Sequence, residues 1–432
     1  MFPVGFKWGT ATAAYQIEGA AEEGGRGPSI WDRFSHTPGM TDNGDTGDIA
    51  CDHFHRWEQD LELMAALGVS AYRFSISWPR VFPAGTGSVS REGLAFYDRL
   101  VDRLLDLDIT PFPTLYHWDL PQALEDEGGW TARSTAEAFA EYADLVVGEL
   151  GDRVSHWMTL NEPWCSSVLG YMAGYHAPGR RGIDSGLAAA HHLLLGHGMA
   201  VSRIREHGLK VGIVTNQDWK VPASGHSADV AAARLADEKM AGWFVDPVMG
   251  RGYPQAAMED YGWDMAPVRP GDMEIIAQPI DHFGLNYYTR EVVRASDLNE
   301  EERADAMAPG HEYTDMGWEV QPEGLTVLLQ RLAGEYGQKE IYVTENGVAY
   351  PDVADEGGYV DDQDRISFLE RHLAAAHAAV EAGVPLRGYF LWSFLDNFEW
   401  AFGYAKRFGI VRVDYPTQRR IPKASFDWYR RV

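Results

Sequence analysis

The stretch HFHRWEQDLELMAALGVSAYRFSISW, residues 53–78, contains the repeating unit on which the fold is built. Phe54, Trp57, Leu61, Met64 and Leu67 recur at three- and four-residue spacing and trace one face of a helix. Gly68 then turns the chain, and a strand follows almost at once. In Ala71 to Trp78, Tyr72, Phe74 and Ile76 alternate with Ala71, Arg73 and Ser75. The pattern extends in both directions. Strand-like runs stand at Phe6 to Ala13, Ala71 to Trp78, Thr110 to His117, Val154 to Asn161, Val211 to Asn216, His282 to Tyr288, Ile341 to Glu345 and Leu386 to Phe394. Helical spacing lies between them, as in Leu94, Tyr97, Val101, Leu104 and Leu105. Ser134 and Glu137 fit a capping box ahead of Phe139, Tyr142 and Val146, and Pro322 suits the first turn of a later helix.

Eight such units with no linker, internal repeat or low-complexity segment predict an α/β fold, a (β/α)8 TIM barrel spanning residues 1–432 as one domain. An open doubly wound sheet would carry a glycine-rich dinucleotide turn after its first strand, and that turn is missing. Turn lengths add a direction. Helix-to-strand turns at Gly68, Asp108, Gly151 to Arg153, Gly208 to Leu209, Gly337 to Lys339 and Gly383 to Val384 are short. The strand-to-helix loops Glu18 to Asp52, Trp118 to Arg133, Glu162 to Gly186, Thr289 to Gln321 and Asp396 to Arg420 are long and leave the same barrel face, where an active site is expected. The acidic stretch Ser296 to Met307 reads as a solvated excursion.

Charge narrows the partners. Lys+Arg 37 against Asp+Glu 64 leaves −27, a field that repels nucleic acid and anionic membrane, so neither is expected to bind. Cys51 and Cys165 are too few for a disulfide framework and read as ordinary thiols. The segment MFPVGFKWGTATAAYQ lacks the basic-then-apolar order of a signal peptide, and a cytoplasmic location is expected. His53 and His55 open a helix, while His191, His192 and His197 fall in an alanine- and leucine-rich outer helix, so no metal is expected there.

Glu162, in TLNEPW after the fourth strand, and Glu345, in YVTENG on the seventh, stand at strand ends that face the long loops. Such positions converge on one cavity. Paired carboxyl groups are what acid-catalysed glycoside cleavage needs, one to protonate the leaving oxygen and one to attack or stabilise the oxocarbenium-like centre. Arg73 alternates onto the small-residue face of its strand, inside the barrel, where it would depress the pKa of Glu345 and leave a drier Glu162 protonated.

The segments FKWGTATAAYQIEGA, YRFSISWPR, TLYHWDLP, TLNEP, NYYTR, YVTENG and LWSFLDNFEW together resemble glycoside hydrolase family 1 over nearly the whole chain. The resemblance implies a retaining β-glucosidase acting on a small carbohydrate by double displacement, with no metal or other cofactor. Glu162 would be general acid/base and Glu345 the nucleophile. Gln16, His117, Trp118, Asn161, Asn286, Tyr288, Trp392, Glu399 and Trp400 would bind the sugar, with Asn161 on the 2-hydroxyl, Tyr288 bonded to Glu345 and Arg73 in support. Phe408 is a further lining candidate, and Trp164, Leu169 and Trp318 are candidates for the aglycone entrance. Family members acting on 6-phosphorylated sugars replace the FEW carboxylate and tryptophan. Glu399 and Trp400 remain, favouring an unphosphorylated glucoside such as cellobiose or an aryl β-glucoside, with galactosides and fucosides secondary. A transglycosidase with the same intermediate and a non-catalytic sugar-binding barrel are the alternatives.

Overall fold

The computed structural model describes residues 1–299, 302–303, 307–310 and 312–432. Eight parallel strands close a barrel: β1 (Lys7–Ala11), β2 (Ala71–Ser75), β3 (Thr110–Tyr116), β4 (His156–Asn161), β5 (Lys210–Asn216), β6 (His282–Asn286), β7 (Ile341–Asn346) and β8 (Leu386–Trp392). Each pairs with its neighbours in sequence, and β8 returns to β1 with Lys7 beside Gly388 and Ala11 beside Trp392. Boundaries shift by a few residues from the sequence reading. Trp78 leaves β2 and opens a short helix, Trp78–Val81, because Pro79 cannot donate to a strand ladder.

The outer helices bury the faces that their periodicity marks. His53–Leu67 turns Leu61, Met64 and Leu67 inward, and Gly68, at φ 84°, ends it with a left-handed cap. In Arg91–Asp106, Leu94, Tyr97, Val101 and Leu104 are buried, but Leu105 is 39% exposed. Leu100, at i+3 from Tyr97 and i−4 from Leu104, occupies the inward stripe instead. The capping box at Ser134 does not form. The helix Arg133–Leu150 begins earlier, with Ala132 as cap, so Ser134 already lies in the first turn. Glu137 then reaches back to Arg133 at 3.6 Å rather than to the backbone. Pro322 does precede its helix, Glu323–Gly334.

Between β5 and β6 the chain forms several shorter helices, Ser227–Asp237, Trp243–Val248, Gln255–Tyr261 and Asp272–Ile276, that no long periodic run announces. The expected solvated excursion at Ser296 to Met307 falls partly outside the described residues. Its described part is anchored: Arg303, 5% exposed, donates from Nε to Asp229 at 3.0 Å, and the Ala295 amide donates to the same carboxylate at 2.8 Å. His191 donates to Asp272 and accepts from the Tyr253 hydroxyl, each at 3.0 Å, and His53 donates to Asp60 at 2.8 Å. The His191 imidazole ties its helix to neighbouring segments, while the His53–Asp60 bond lies within one helix. Among the described residues no helix is long and apolar enough to cross a membrane.

The interior is packed at one end and open at the other. Phe112 stacks on His156 and meets Phe390 edge-on, both at 5.1 Å between centroids, with Tyr342 at 5.4 Å. These rings come from β3, β4, β7 and β8 and fill the barrel from the strand starts to its middle, with the cavity where the strands end. There β7 and β8 approach so closely that a Cβ on Gly347 would lie 1.5 Å from the carbonyl oxygen of Trp392. Gly347→Ala must therefore separate the two strand ends. It is expected to lower stability by about 1–3 kcal/mol, as overpacking does. Thermal unfolding checks this, and an unchanged melting temperature would show that the ends yield freely.

Candidate active site

At the open end lies a cavity of about 690 Å³, with both Glu162 and Glu345 in its wall. Glu345 belongs to β7, and Glu162 follows directly on Asn161, the last residue of β4. Arg73, 1% exposed on β2, spans the barrel between them. Its Nη1 donates to Glu345 Oε1 at 2.6 Å, and its Nη2 to Asn161 Oδ1 at 2.6 Å. The Tyr288 hydroxyl donates to the other oxygen of Glu345 at 2.7 Å. Glu162 accepts at Oε1 from Asn286 Nδ2, 2.7 Å away, and at Oε2 from the Cys165 thiol, 3.2 Å away.

The two carboxyl groups therefore have unequal partners. Burial pushes Glu162 up to about 8, and the charge of Glu345 adds to the rise, opposed by the hydrogen bonds from Asn286 and Cys165 and, last, by the charge of Arg73. Glu345 does not show the expected depression. Burial raises it, and Arg73 and Tyr288 pull it back without reversing the direction, because removing a carboxylate from water outweighs even a guanidinium contact here. The proton still belongs on Glu162, whose neighbour is an anion, rather than on Glu345, whose neighbour is a cation.

Hydrogen bonds fix the polar groups around the pair. The Thr344 hydroxyl donates to Asn286 Oδ1 at 2.6 Å, which turns the Asn286 amide nitrogen toward Glu162 and, at 3.1 Å, toward Asn161 Oδ1. With Asn161 Oδ1 thus accepting twice, its Nδ2 donates to His117 Nε2 at 3.1 Å. His117 must then carry its proton on Nδ1. Burial and the Arg73 charge hold the imidazole well below its usual pKa, so it is neutral. Gln16 turns Nε2 to Asn397 Oδ1, the Phe398 carbonyl and Glu399 Oε2, at 3.0, 2.9 and 3.4 Å, and its buried Oε1 has no protein partner among the described residues. Glu399, beside it, is pushed up to about 8 by burial and by the charges of Glu345 and Glu162.

His117, Trp118, Asn286, Tyr288, Trp392, Glu399, Trp400 and Phe408 line the cavity with the two glutamates. Gln16, Asn161 and Arg73 are fully buried beside that wall. Trp118 donates its indole N–H to the Asn161 carbonyl at 3.0 Å and so offers the cavity a ring rather than a donor. Its ring packs at 4.5 Å on Trp400, while Trp392 stacks on His117 at 5.9 Å. Toward the mouth the wall includes Trp164, Leu169 and Trp318, the last packed at 5.3 Å on Tyr288. Trp118, Glu162 and Trp400 all have left-handed backbones, at φ 76°, 48° and 52°.

Sequence reasoning missed several lining residues. Cys165 lies three residues beyond Glu162, a separation that brings two side chains to one helical face, and that spacing was the available signal. Asn216 ends β5, a position from which side chains reach the cavity in any such barrel. Met240, on the helical segment Glu238–Gly242, and Met307 and Met316, in the long loop after β6, had no strand-end signal.

The electrostatics can be tested apart from catalysis. Because the charge of Glu345 adds to the upward shift of Glu162, Glu345→Gln is expected to bring the Glu162 titration down from about 8, by roughly one pH unit. Carboxyl-carbon NMR on labelled glutamate would read it. An unmoved titration would show that burial alone sets the value.

The family model for glycosyl hydrolase family 1 matches residues 1–432. Beta-glucosidase A of Thermotoga maritima is 48% identical over 434 residues, covering 100% of this chain and 97% of that protein. A bifunctional beta-D-glucosidase/beta-D-fucosidase of Bifidobacterium breve is 48% identical over 458 residues, covering 100% and 98%. The solved structure of the Thermotoga maritima beta-glucosidase in complex with glucoimidazole superposes with a TM-score of 0.94 at 48% identity, covering 100% of this chain and 98% of that one. With the barrel, the paired glutamates and these likenesses in agreement over the full length, the chain belongs to glycosyl hydrolase family 1.

Proposed function

We propose that the protein, read as one catalytic domain, is a retaining β-glucosidase that hydrolyses unphosphorylated β-D-glucosides through a covalent glycosyl-enzyme. The observation that carries this reading is the unequal setting of the two carboxyl groups, Glu345 against Arg73 and Tyr288, Glu162 against neutral donors and a neighbouring anion. Glu345 attacks the anomeric carbon as a carboxylate while Glu162 gives its proton to the departing oxygen. Glu162 then takes a proton from the water that releases the sugar. The relatives named as β-glucosidases support the glucose preference, and the bifunctional relative supports fucosides as second substrates.

Tyr288 and Arg73 position and neutralise the nucleophile. Asn161, held by Arg73 and His117, keeps one amide hydrogen for the 2-hydroxyl, and the unpartnered Gln16 Oε1 beside Glu399 receives hydroxyls at the far side of the ring. Glu399 refines the argument against a 6-phosphate. Raised to about 8, it is chiefly a neutral acid at neutral pH, and it is faced by Gln16 and two carboxyl groups rather than by a cation that could pair with phosphate. Trp392 and Trp400 supply ring faces, and Trp164, Leu169 and Trp318 receive the aglycone. The same proposal places the protein in the cytoplasm, where its buried thiols Cys51 and Cys165 stay free, acting on cellobiose from cellulose.

Glu345→Gly is expected to reduce turnover of an aryl β-glucoside by several orders of magnitude, with added azide yielding the α-glycosyl azide. Near-normal turnover in that variant would overturn the assignment. For the wild type, kcat/KM should fall as pH rises through about 8, because the protonated form of Glu162 is lost there. In Glu162→Ala that alkaline limb should vanish, with glycosylation spared for 2,4-dinitrophenyl and lost for phenyl glucoside.

A further inference from the structure

Cys165 has no role in the reading above, yet its Sγ lies 3.2 Å from Glu162 Oε2, and the residue, 6% exposed, is in the cavity wall. Asn286 meets the other oxygen, Oε1, at 2.7 Å, and its own orientation is fixed by the Thr344 hydroxyl. An amide N–H can only donate, so Oε1 remains an acceptor whether Glu162 is ionised or not. The acid proton therefore belongs on Oε2, the oxygen that the thiol meets.

We infer that Cys165 is a positioning residue for Glu162, its thiol holding Oε2 at the leaving-group side in both halves of the reaction. This rests on the assignment of Glu162 as acid/base. A thiol can serve both states because it has a weak donor and a weak acceptor. When Glu162 is protonated, Sγ accepts from Oε2–H until the glycosidic oxygen displaces it; when Glu162 is ionised, S–H donates to Oε2. The weakness of both bonds is the useful property. A strong fixed donor in this place would favour the carboxylate and deprive the first step of its acid. The thiol also keeps its own proton, since burial and then the Glu162 charge push it well above its usual range. It therefore orients the carboxyl group without competing as a base or nucleophile.

The test compares Cys165→Ala and Cys165→Ser with wild type, using phenyl and 2,4-dinitrophenyl β-glucosides across the pH range. Alanine removes a donor to ionised Glu162, so the alkaline limb of kcat/KM should move to higher pH. Phenyl glucoside should also lose about tenfold in kcat, a fraction of a general-acid contribution, with the dinitrophenyl substrate much less affected in glycosylation. Serine, a stronger donor, should move the limb to lower pH while retaining more of kcat. Opposite shifts support the proposal, and an alkaline limb unmoved in both variants overturns it. Equal losses for both substrates without a shift would likewise reduce Cys165 to packing. Serine differs from cysteine by one atom, so it carries the test even if alanine fails to fold. Should Glu162→Ala show no dependence on leaving group, the acid/base assignment itself falls and the role of Cys165 with it. If that dependence is present and the cysteine variants keep the wild-type limb, only the role of Cys165 falls.

Discussion

A single guanidinium holds the open end of this barrel together. Arg73 reaches from β2 to Asn161 on β4 and to Glu345 on β7, so elements far apart in sequence meet on one charged, planar group. Burying such an ion is unfavourable unless its hydrogen bonds are met. Here the fork is used in two directions at once, which a lysine could not reproduce. Orientation then passes outward: Arg73 fixes the carbonyl end of Asn161, Asn161 fixes the tautomer of His117, and Asn286 closes the circuit onto Glu162.

The circuit explains why two glutamates in one cavity behave differently. Burial raises both, and it is the nearest charge that separates them. Glu345 faces a cation, Glu162 faces Glu345, and each setting reinforces the other: the more firmly Glu345 is ionised, the more firmly Glu162 holds its proton. Glu399 is raised in the same way, by burial first and then by the charge of Glu345 at a further remove. The site thus holds one anion balanced by Arg73 and two carboxyl groups that favour neutrality.

The barrel was readable because each repeat shows its period twice, once as a helical stripe and once as a strand, and the short turns at Gly68, Asp108 and Gly383 set their order. The placement of Glu162 and Glu345 at the open end followed from strand-end position alone. What was not readable depended on depth and on distant partners. The pKa direction of Glu345 turns on how completely water is excluded, which no local pattern encodes. The failed capping box at Ser134 shows tertiary demands overriding a local signal: Arg133 is drawn into a bidentate pair with Asp272, at 2.8 and 2.7 Å, from a remote helix, and the helix start moves with it. The segments between β5 and β6 were missed because their helices are short and one of them contains Pro247.

The left-handed backbones at Trp118, Glu162 and Trp400 bear on how the protein can change. Each conformation is one that glycine adopts freely and a larger residue only at a cost of about 1–3 kcal/mol. Glycine would relieve the strain and remove a ring or a carboxyl group from the cavity in the same step. The usual route to a sturdier protein, relaxing strained positions, is therefore closed at this end of the barrel. Variants selected for heat resistance should accumulate their changes in the outer helices and at the closed end, leaving the cavity among the least altered parts of the sequence as stability rises.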